Sequence, residues 1–370
     1  MRFLFVVPPL AGHVTPLRGV AAVLTGRGHE VRWCGPEPET SSLVGGPVHA
    51  AGDSATFVMS RCPSGLRGIA ALRYRWKDYL IPLADAMMPG VSDAVACLGP
   101  DVVVADQHTF AGAVAATRSG VPWVTSAPTS TELGDPLAAL PKIAGWTRAL
   151  QDELCARHGI AARDLRFSPD LVLAFTTPEL AGPPAVPGVR YVGPAPPSFS
   201  DREFPWERLD GRPLVVVALG ADVEEGKRFL RESAAALSAL PVQSLVVDPT
   251  GTVDVDGVVV RQRIPRPEVL SGAAAVVCHG GHTTVCASLA AGLPLVVAPI
   301  RDDQTVLAEQ VVRAGTGVRI RFDQAGAEDI RAAVTAVLEQ PRYRAAADRV
   351  RGSFRASDGV IGAADALEVR

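Results

Sequence analysis

No stretch of this 370-residue chain approaches the ~18–20 consecutive apolar residues needed to cross a bilayer. The N-terminus offers only the apolar run Phe3-Leu-Phe-Val-Val7 before Pro8 and Pro9, shorter than the ~7–15 residues of a signal-peptide core. A cytoplasmic protein without a membrane span is expected, its first apolar run being a buried strand. Cysteine is sparse and unpatterned. No two of Cys34, Cys62, Cys97, Cys155, Cys278 and Cys286 form a C-x-x-C pair, so free thiols in a reducing compartment are expected. An excess of either charge is also missing. With 36 Lys+Arg against 39 Asp+Glu, the net charge is -3, and nothing electrostatic recommends a nucleic acid as partner. No clustered His, Cys and carboxylate spacing marks a metal site, and no P-loop is present. The only D-x-D, Asp254-Val-Asp256, reads as an exposed turn beside Gly257. No metal and no resident cofactor are therefore expected.

What is present is a chain that is 48% hydrophobic and 20% charged, a balance typical of globular proteins and unlike that of disordered ones. Its length suggests two domains at roughly 100–200 residues each. Short apolar runs alternate with helical segments in the first half. Phe3–Val7, His29–Cys34, Val102–Ala105 and Pro122–Thr125 read as strands. Pro16–Gly26, with Thr15 as N-cap, and Ala111–Arg118 read as helices. Strands so uniformly apolar are buried on both faces, which implies a parallel sheet with helices on each side. The prolines Pro194, Pro196, Pro197 and Pro205 then mark a linker. The pattern restarts at Leu214–Leu219 and runs through the strands Ala273–Cys278 and Leu295–Ala298 and the helices Thr283–Ala291 and Gln304–Ala314. The expected organisation is an N-terminal domain over 1–195, a linker over 196–212 and a second domain over 213–350. A helical segment over 351–370 would pack back on the first domain. Two doubly wound α/β domains of this kind would bind ligands at the carboxyl ends of their strands.

Two segments carry chemistry. The first is Cys278-His-Gly-Gly-His-Thr-Thr284, at the end of an apolar strand and the start of a helix. Its glycines permit a sharp bend and close approach of backbone to ligand. The helix N-terminus over Gly280–Thr284 offers N–H groups and a positive dipole end to an anion. His279, Thr283 and Thr284 add side-chain donors, and this pocket would hold a diphosphate without a metal. The same residues would also suit an ordinary strand–helix turn. Further on, Asp303 and Gln304 follow another strand end. A carboxylate beside an amide suits the hydroxyls of a sugar, while Asp302 or Asp303 would equally serve as a helix N-cap. The second segment is Gly12-His-Val-Thr-Pro16. A histidine in a loop at a strand end is suited to take a proton from a hydroxyl. Asp106, at the end of the strand Val102–Ala105, is placed to orient that ring. His108 is a candidate for lining the acceptor pocket. His29 reads as structural. Between residues 60 and 95, arginines interleave with Trp76 and Tyr79, and Met87-Met88 follows. This stretch reads either as a solvated helix face or as an adaptable apolar wall, with Trp76, Met87 and Met88 as acceptor-binding candidates.

From Arg261 to Gly317 the sequence resembles the signature region of the GT1 family of glycosyltransferases, which includes bacterial macrolide and antibiotic glycosyltransferases and carotenoid glucosyltransferases. The matching runs are Arg-Ile-Pro-Arg-Pro-Glu-Val-Leu, Val-Val-Cys-His-Gly-Gly-His-Thr-Thr-Val and Gly-Leu-Pro-Leu-Val-Val-Ala-Pro-Ile-Arg-Asp-Asp-Gln. The resemblance implies the α/β GT-B fold, two doubly wound Rossmann-like domains facing across a cleft. It implies that Ile264 holds the nucleotide base through its backbone. His279, Gly281, Thr283 and Thr284 would hold the diphosphate, and Asp303 and Gln304 the donor sugar. It also implies His13 as base and Asp106 as its partner, in an inverting transfer from a nucleotide-diphosphate sugar to a small natural-product acceptor. The chain departs from the family twice. Ala221 stands where Ser or Thr is usual, leaving Gly220 to offer close backbone approach. Ala287 stands where a ribose-binding glutamate is usual, which favours a dTDP-sugar over a UDP-sugar. Two alternatives remain: a non-catalytic GT-B auxiliary that binds a nucleotide or a partner enzyme, and a GT-B nucleotide-sugar epimerase.

Overall fold

The structure is a computed structural model that describes residues 1–57, 63, 65–195, 204–219, 223–251, 253, 255, 257–262, 264, 266–301 and 303–370, the side chains of 223–225 and 266 excepted. Gly220, Ala221, Asp222, Asp254, Asp256, Asp302, Cys62 and residues 196–203 of the proline-rich linker lie outside the described residues. The chain divides into two compact units, Met1–Pro196 with Ser357–Arg370, and Pro197–Ala356.

The first unit contains strands β1 (Arg2–Val6), β2 (Glu30–Glu37), β3 (His49–Asp53), β4 (Val102–Asp106), β5 (Trp123–Ala127), β6 (Val172–Ala174) and β7 (Val189–Tyr191). Its helices are α1 (Ala11–Gly26), α2 (Glu39–Val44), α3 (Gly68–Tyr74), α4 (Ile81–Leu98), α5 (Phe110–Ser119), α6 (Pro141–Arg157) and α7 (Pro178–Ala181). The strands form one parallel sheet in the order β3-β2-β1-β4-β5-β6-β7. Alternation along each strand sorts the core into two layers. Leu4, Val6, Val103 and Ala105 pack with Leu83, Met87 and Phe110 on one face. Phe3, Phe5, Val102 and Val104 pack with Leu17, Val20 and Leu24 on the other.

Helix α1 begins five residues before the expected start. Leu10 is extended, and the backbone amides of His13 and Val14 both donate to its carbonyl, at 2.9 and 3.1 Å. Pro16 therefore sits inside the helix and cannot donate to the carbonyl of Gly12. Interior proline costs ~3 kcal/mol, but α1 buries Val14, Leu17, Val20 and Leu24. Burial of each contributes ~1.5–3 kcal/mol, so packing outweighs the local defect. The Thr15 hydroxyl does not cap the helix but donates back to the Ala11 carbonyl at 2.8 Å.

Residues 68–98 form one continuous rod, α3 and α4 joined by a π-helical turn over Arg75–Leu80. By length and composition alone this rod could cross a membrane, although half of its most apolar window is buried inside the fold. The burial of Trp76, Leu80, Leu83, Ala84, Met87 and Val91 in the sheet-facing core explains its apolarity.

The second unit carries β8 (Leu214–Ala218), β9 (Gln243–Val247), β10 (Val259–Arg261), β11 (Ala273–Cys278), β12 (Leu295–Val297) and β13 (Gly317–Arg319). Its helices are α8 (Val223–Ser238), α9 (Arg266–Ser271), α10 (His282–Ala290), α11 (Gln304–Arg313), α12 (Ala327–Glu339) and α13 (Pro341–Ala356). This sheet is also parallel, in the order β10-β9-β8-β11-β12-β13. The last helix, α14 (Gly359–Glu368), returns to the first unit and lies on α1. Contact there is close: a Cβ on Gly19 would stand 2.8 Å from Val360 Cγ1. Glu368 closes the junction, accepting from Arg27 and His29 at 2.6 Å each, while the Met1 ammonium meets the other nitrogen of His29 at 3.1 Å.

Both sheets are doubly wound, and each reverses its strand order once, between β1 and β4 and between β8 and β11. A crevice opens at the carboxyl ends of the strands flanking such a reversal, and ligands bind there.

Candidate active site

In the first unit, that crevice is bordered by residues after β1 and at the end of β4. They are His13 and Asp106. Helix α1 carries His13 in its first turn, and Asp106 is the final residue of β4. His13 Nδ1 stands 2.9 and 3.0 Å from the two carboxylate oxygens of Asp106. The aspartate is 1% exposed and the histidine 7%. Asp106 Oδ1 also accepts from the His108 backbone amide at 2.9 Å, which fixes the carboxylate from a second side. With the Nδ1 proton directed at Asp106, the imidazole presents Nε2 as its proton acceptor.

The structure adds a buried network that sequence reasoning missed. The His108 ring lies on that of His13, centroids 4.4 Å apart and tilted by 38°. The guanidinium of Arg75, from the π-helical turn, donates to His108 Nε2. Arg75 also donates to Glu132 Oε1 at 3.1 Å. Glu132 Oε2 accepts from Arg166 at 3.3 Å, and Arg166 pairs with Asp164 at 2.7 Å. Burial, Arg75 and His13 together hold His108 well below the usual histidine range. Tyr79, buried on the same π-helical turn, is pushed up by burial and by the charge of Asp106. His13, Asp106 and His108 could between them offer three ligand atoms to a cation, all within 4.8 Å of one another. The Arg75 guanidinium on His108 opposes that use by like charge, and the trio is better suited to handling a proton. Arg75 and Glu132 are 57 positions apart, and no local pattern links them.

Of the acceptor-wall candidates, His108 is the one beside the dyad. Trp76, Met87 and Met88 are 2%, 0% and 4% exposed and belong to the core against the sheet, Trp76 with its ring 5.7 Å from that of Phe110. Their packing accounts for the apolar character that suggested a binding wall.

In the second unit, β11 ends at Cys278 and the turn His279-Gly280-Gly281 leads into α10. The helix starts one residue earlier than expected, with Gly281 as its extended N-cap and no side-chain cap bond. Thr284 and Val285 amides return to the Gly281 carbonyl at 3.0 Å each. Gly280 is demanded by its backbone conformation and by crowding, whereas at Gly281 a side chain would have to displace only the His279 ring. Gly280 has φ +89°, and a Cβ there would lie 2.8 Å from Val297 Cγ1 and 3.2 Å from the Gln304 carbonyl oxygen. A Cβ on Gly281 would lie 2.5 Å from His279 Nε2. The fold thus brings the His279–Thr284 turn against the Gln304 segment. Thr283 is exposed, while Thr284, His279, Asp303, Gln304 and Ile264 are half-buried. Gln304 Oε1 accepts from the amides of Ile300 and Arg301, at 2.8 and 3.1 Å, so the glutamine also closes its own turn. Asp303 is the residue before α11 but makes no side-chain cap bond. Ile264 lies between β10 and α9, apart from these turns in sequence, and Gly220 is outside the described residues. Burial raises the thiols of Cys278 and Cys286 to about 12, which makes both inert as nucleophiles.

Residues 240–359 match the family model of the erythromycin biosynthesis protein CIII-like C-terminal domain. The chain is 31% identical to 4'-demethylrebeccamycin synthase of Lentzea aerocolonigenes, over 99% of each chain. Among solved structures, the calicheamicin glycosyltransferase CalG4 aligns at a TM-score of 0.81 and 23% identity, covering 100% of this chain and 97% of its own. The glycosyltransferase VinC, in complex with dTDP, aligns at 0.76 and 20% identity over 100% and 99%. The chain belongs to the glycosyltransferases of antibiotic biosynthesis, built on the GT-B fold.

Proposed function

We propose that this glycosyltransferase moves a sugar from a dTDP-sugar to a small natural-product acceptor with inversion at the anomeric carbon, His13 acting as base and Asp106 as its orienting partner. The observation that carries the reading is the buried pair itself, His13 Nδ1 at 2.9 Å from Asp106 at the reversal point of the first sheet. Asp106 fixes the ring's tautomer and stabilises the imidazolium that forms. His13 takes the acceptor proton on Nε2 as the acceptor atom attacks the sugar and the nucleotide diphosphate leaves.

In the second unit the diphosphate is assigned to His279, Gly280, Gly281, Thr283 and Thr284. The first amides of a helix lack intrahelical partners, and its N-terminal dipole favours an anion, so this chemistry calls for no metal. The sugar hydroxyls are assigned to Asp303 and to the amide nitrogen of Gln304, whose oxygen is engaged by backbone. Ile264 is assigned to the base. The dTDP preference rests on Ala287, which offers no carboxylate to a ribose 2′-hydroxyl, and on the likeness to a dTDP-bound transferase.

Replacing His13 with Ala is expected to lower turnover by about 10²–10⁴, and unchanged turnover would overturn the base assignment. A thermal-shift titration with dTDP, UDP and their glucose conjugates tests the donor half. Ligand at ~100 times its dissociation constant stabilises the native state by about 2.7 kcal/mol. A larger shift with UDP species would overturn the dTDP preference, and none with any of the four would overturn the donor site.

A further inference from the structure

His108 touches both halves of the dyad. Its backbone amide donates to Asp106 Oδ1 at 2.9 Å, and its ring lies on the ring of His13 with centroids 4.4 Å apart. The residue that follows is anchored to β1, the Thr109 hydroxyl donating to the Val6 carbonyl at 2.9 Å. The His108 ring is gripped in turn. An arginine guanidinium has donors only, so the contact from Arg75 leaves Nε2 with its lone pair and puts the ring's hydrogen on Nδ1. Burial first, then Arg75 and His13, keep the ring neutral. Its Nδ1 is buried and has no hydrogen-bond partner among the described residues. That arrangement is costly, and a phenylalanine would fill the same space without the cost. What phenylalanine could not do is accept from Arg75. An uncharged ring is also the kind that can lie against His13 while a proton arrives there, since a second imidazolium so close would repel it.

Arg75 is itself fixed, donating to Glu132 Oε1 at 3.1 Å. It enters from the π-helical turn between α3 and α4, and such turns recur at functional sites. A hydrogen bond to Asp106 alone would leave His13 free to swing about the line from Nδ1 to the carboxylate. A clamped ring against its face removes that freedom. We propose that Arg75 and His108 are positioning residues for His13: Arg75 clamps the His108 ring, and the clamped ring holds the base at the angle at which Nε2 meets the acceptor proton. The use made of that Nε2 rests on the reading of His13 as base, whereas the clamp does not. In this role neither Arg75 nor His108 gives or takes a proton.

The test begins with Arg75→Met, which strands no charge because Glu132 keeps Arg166 at 3.3 Å. Turnover is read with 4-methylumbelliferone as acceptor and dTDP-glucose as donor. The variant should fold, bind dTDP as wild type does and keep the KM of both substrates. Its kcat should fall by about 10–10²-fold, the cost of misplacing a reacting group by about 1 Å. A merely structural role would not confine the loss to kcat. His108→Phe keeps a ring that cannot be clamped, and should lose as much. The double variant should be no worse than either single one, because both changes release the same ring. The position of His13 is read separately. The seven histidines are labelled with ¹⁵N in the full-length protein, and the His13 signals are assigned by their loss in His13→Ala. Wild type should show a protonated Nδ1 and a bare Nε2. In Arg75→Met the two signals should draw together, as the ring leaves Asp106 for part of the time. If Arg75→Met fails to fold, His108→Phe is read by the same two measurements. Wild-type kcat in the folded variant, losses that multiply in the double variant, or an unmoved His13 spectrum would each overturn the proposal. Normal turnover in His13→Ala would instead overturn the base reading, and the spectrum would then decide the clamp by itself.

Discussion

Glu132 sits between two arginines, and its removal should unbalance the first unit from the inside. The side chains of Arg75 and Glu132 are 10% and 11% exposed, so bulk water screens their interaction little. The two arginines are not equally dependent on it. Arg166 keeps Asp164 at 2.7 Å if Glu132 is lost, whereas Arg75 keeps, among the described residues, only His108, a neutral acceptor. Glu132→Ala thus leaves one buried cation without a counter-charge, which costs about 3–5 kcal/mol. For a unit of about 200 residues, each kcal/mol moves the midpoint by about 2–4 °C, so the first unit should melt some ~6–20 °C lower. Differential scanning calorimetry reads this directly, with the transition of the second unit as an internal reference. Removing the stranded charge as well should return part of the loss. Arg75→Met in the Glu132→Ala background should be less destabilised than the sum of the single variants, by about 0.5–3 kcal/mol. A single-variant loss under ~1 kcal/mol, the level of an exposed pair, or strict additivity in the cycle would refute the reasoning.

Two further outcomes follow from local geometry. Gly280→Ala forces a Cβ to within 2.8 Å of Val297 at φ +89°. It should cost ~1–3 kcal/mol in denaturant unfolding of the second unit and abolish the thermal shift given by dTDP; a variant as stable as wild type with normal nucleotide binding would contradict the packing of that turn. The Glu368 carboxyl is held below its usual value of 4.5, first by the His29 hydrogen bond and then by Arg27. Its folded value is the lower one, so the stabilisation is present above 4.5 and is lost as pH falls through the folded value. Glu368→Gln should therefore melt below wild type at neutral pH, with the gap closing as pH drops below 4.5. A gap independent of pH would show that the carboxylate's charge is irrelevant.

Much of this molecule was legible in its sequence because short buried strands announce themselves. Phe3-Leu-Phe-Val and Ala273–Cys278 are apolar on both faces, as a parallel sheet under two helical layers requires. The turn His279-Gly280-Gly281 was legible because strand, glycines and helix start coincide. The beginning of α1 was not. Proline is a strong sign of a first helical position, and here the burial of one helix face overrode it. Residues 60–95 were legible least. Arg75 reads as a solvated charge until Glu132, remote in sequence, is known to neutralise it. Trp76 and the methionines read as a binding wall because composition cannot say which face of a helix meets the sheet. His29, read as structural, is the residue through which the Met1 ammonium and Glu368 are joined.

The return of α14 onto α1 sets an order of events during synthesis. Residues 357–370 leave the ribosome only after the whole of the second unit has been made, yet they pack against the helix that carries His13. Until then the core cluster that holds Leu17, Val20 and Leu24 lacks Ala363, Ala364 and Leu367. Domains usually mature from the N-terminus onward, but in this chain the first unit to emerge is the last to be completed. A nascent chain stalled before residue 357 would hold a finished second unit beside a first unit whose apolar flank is still open, which makes that flank the natural place for a chaperone to bind.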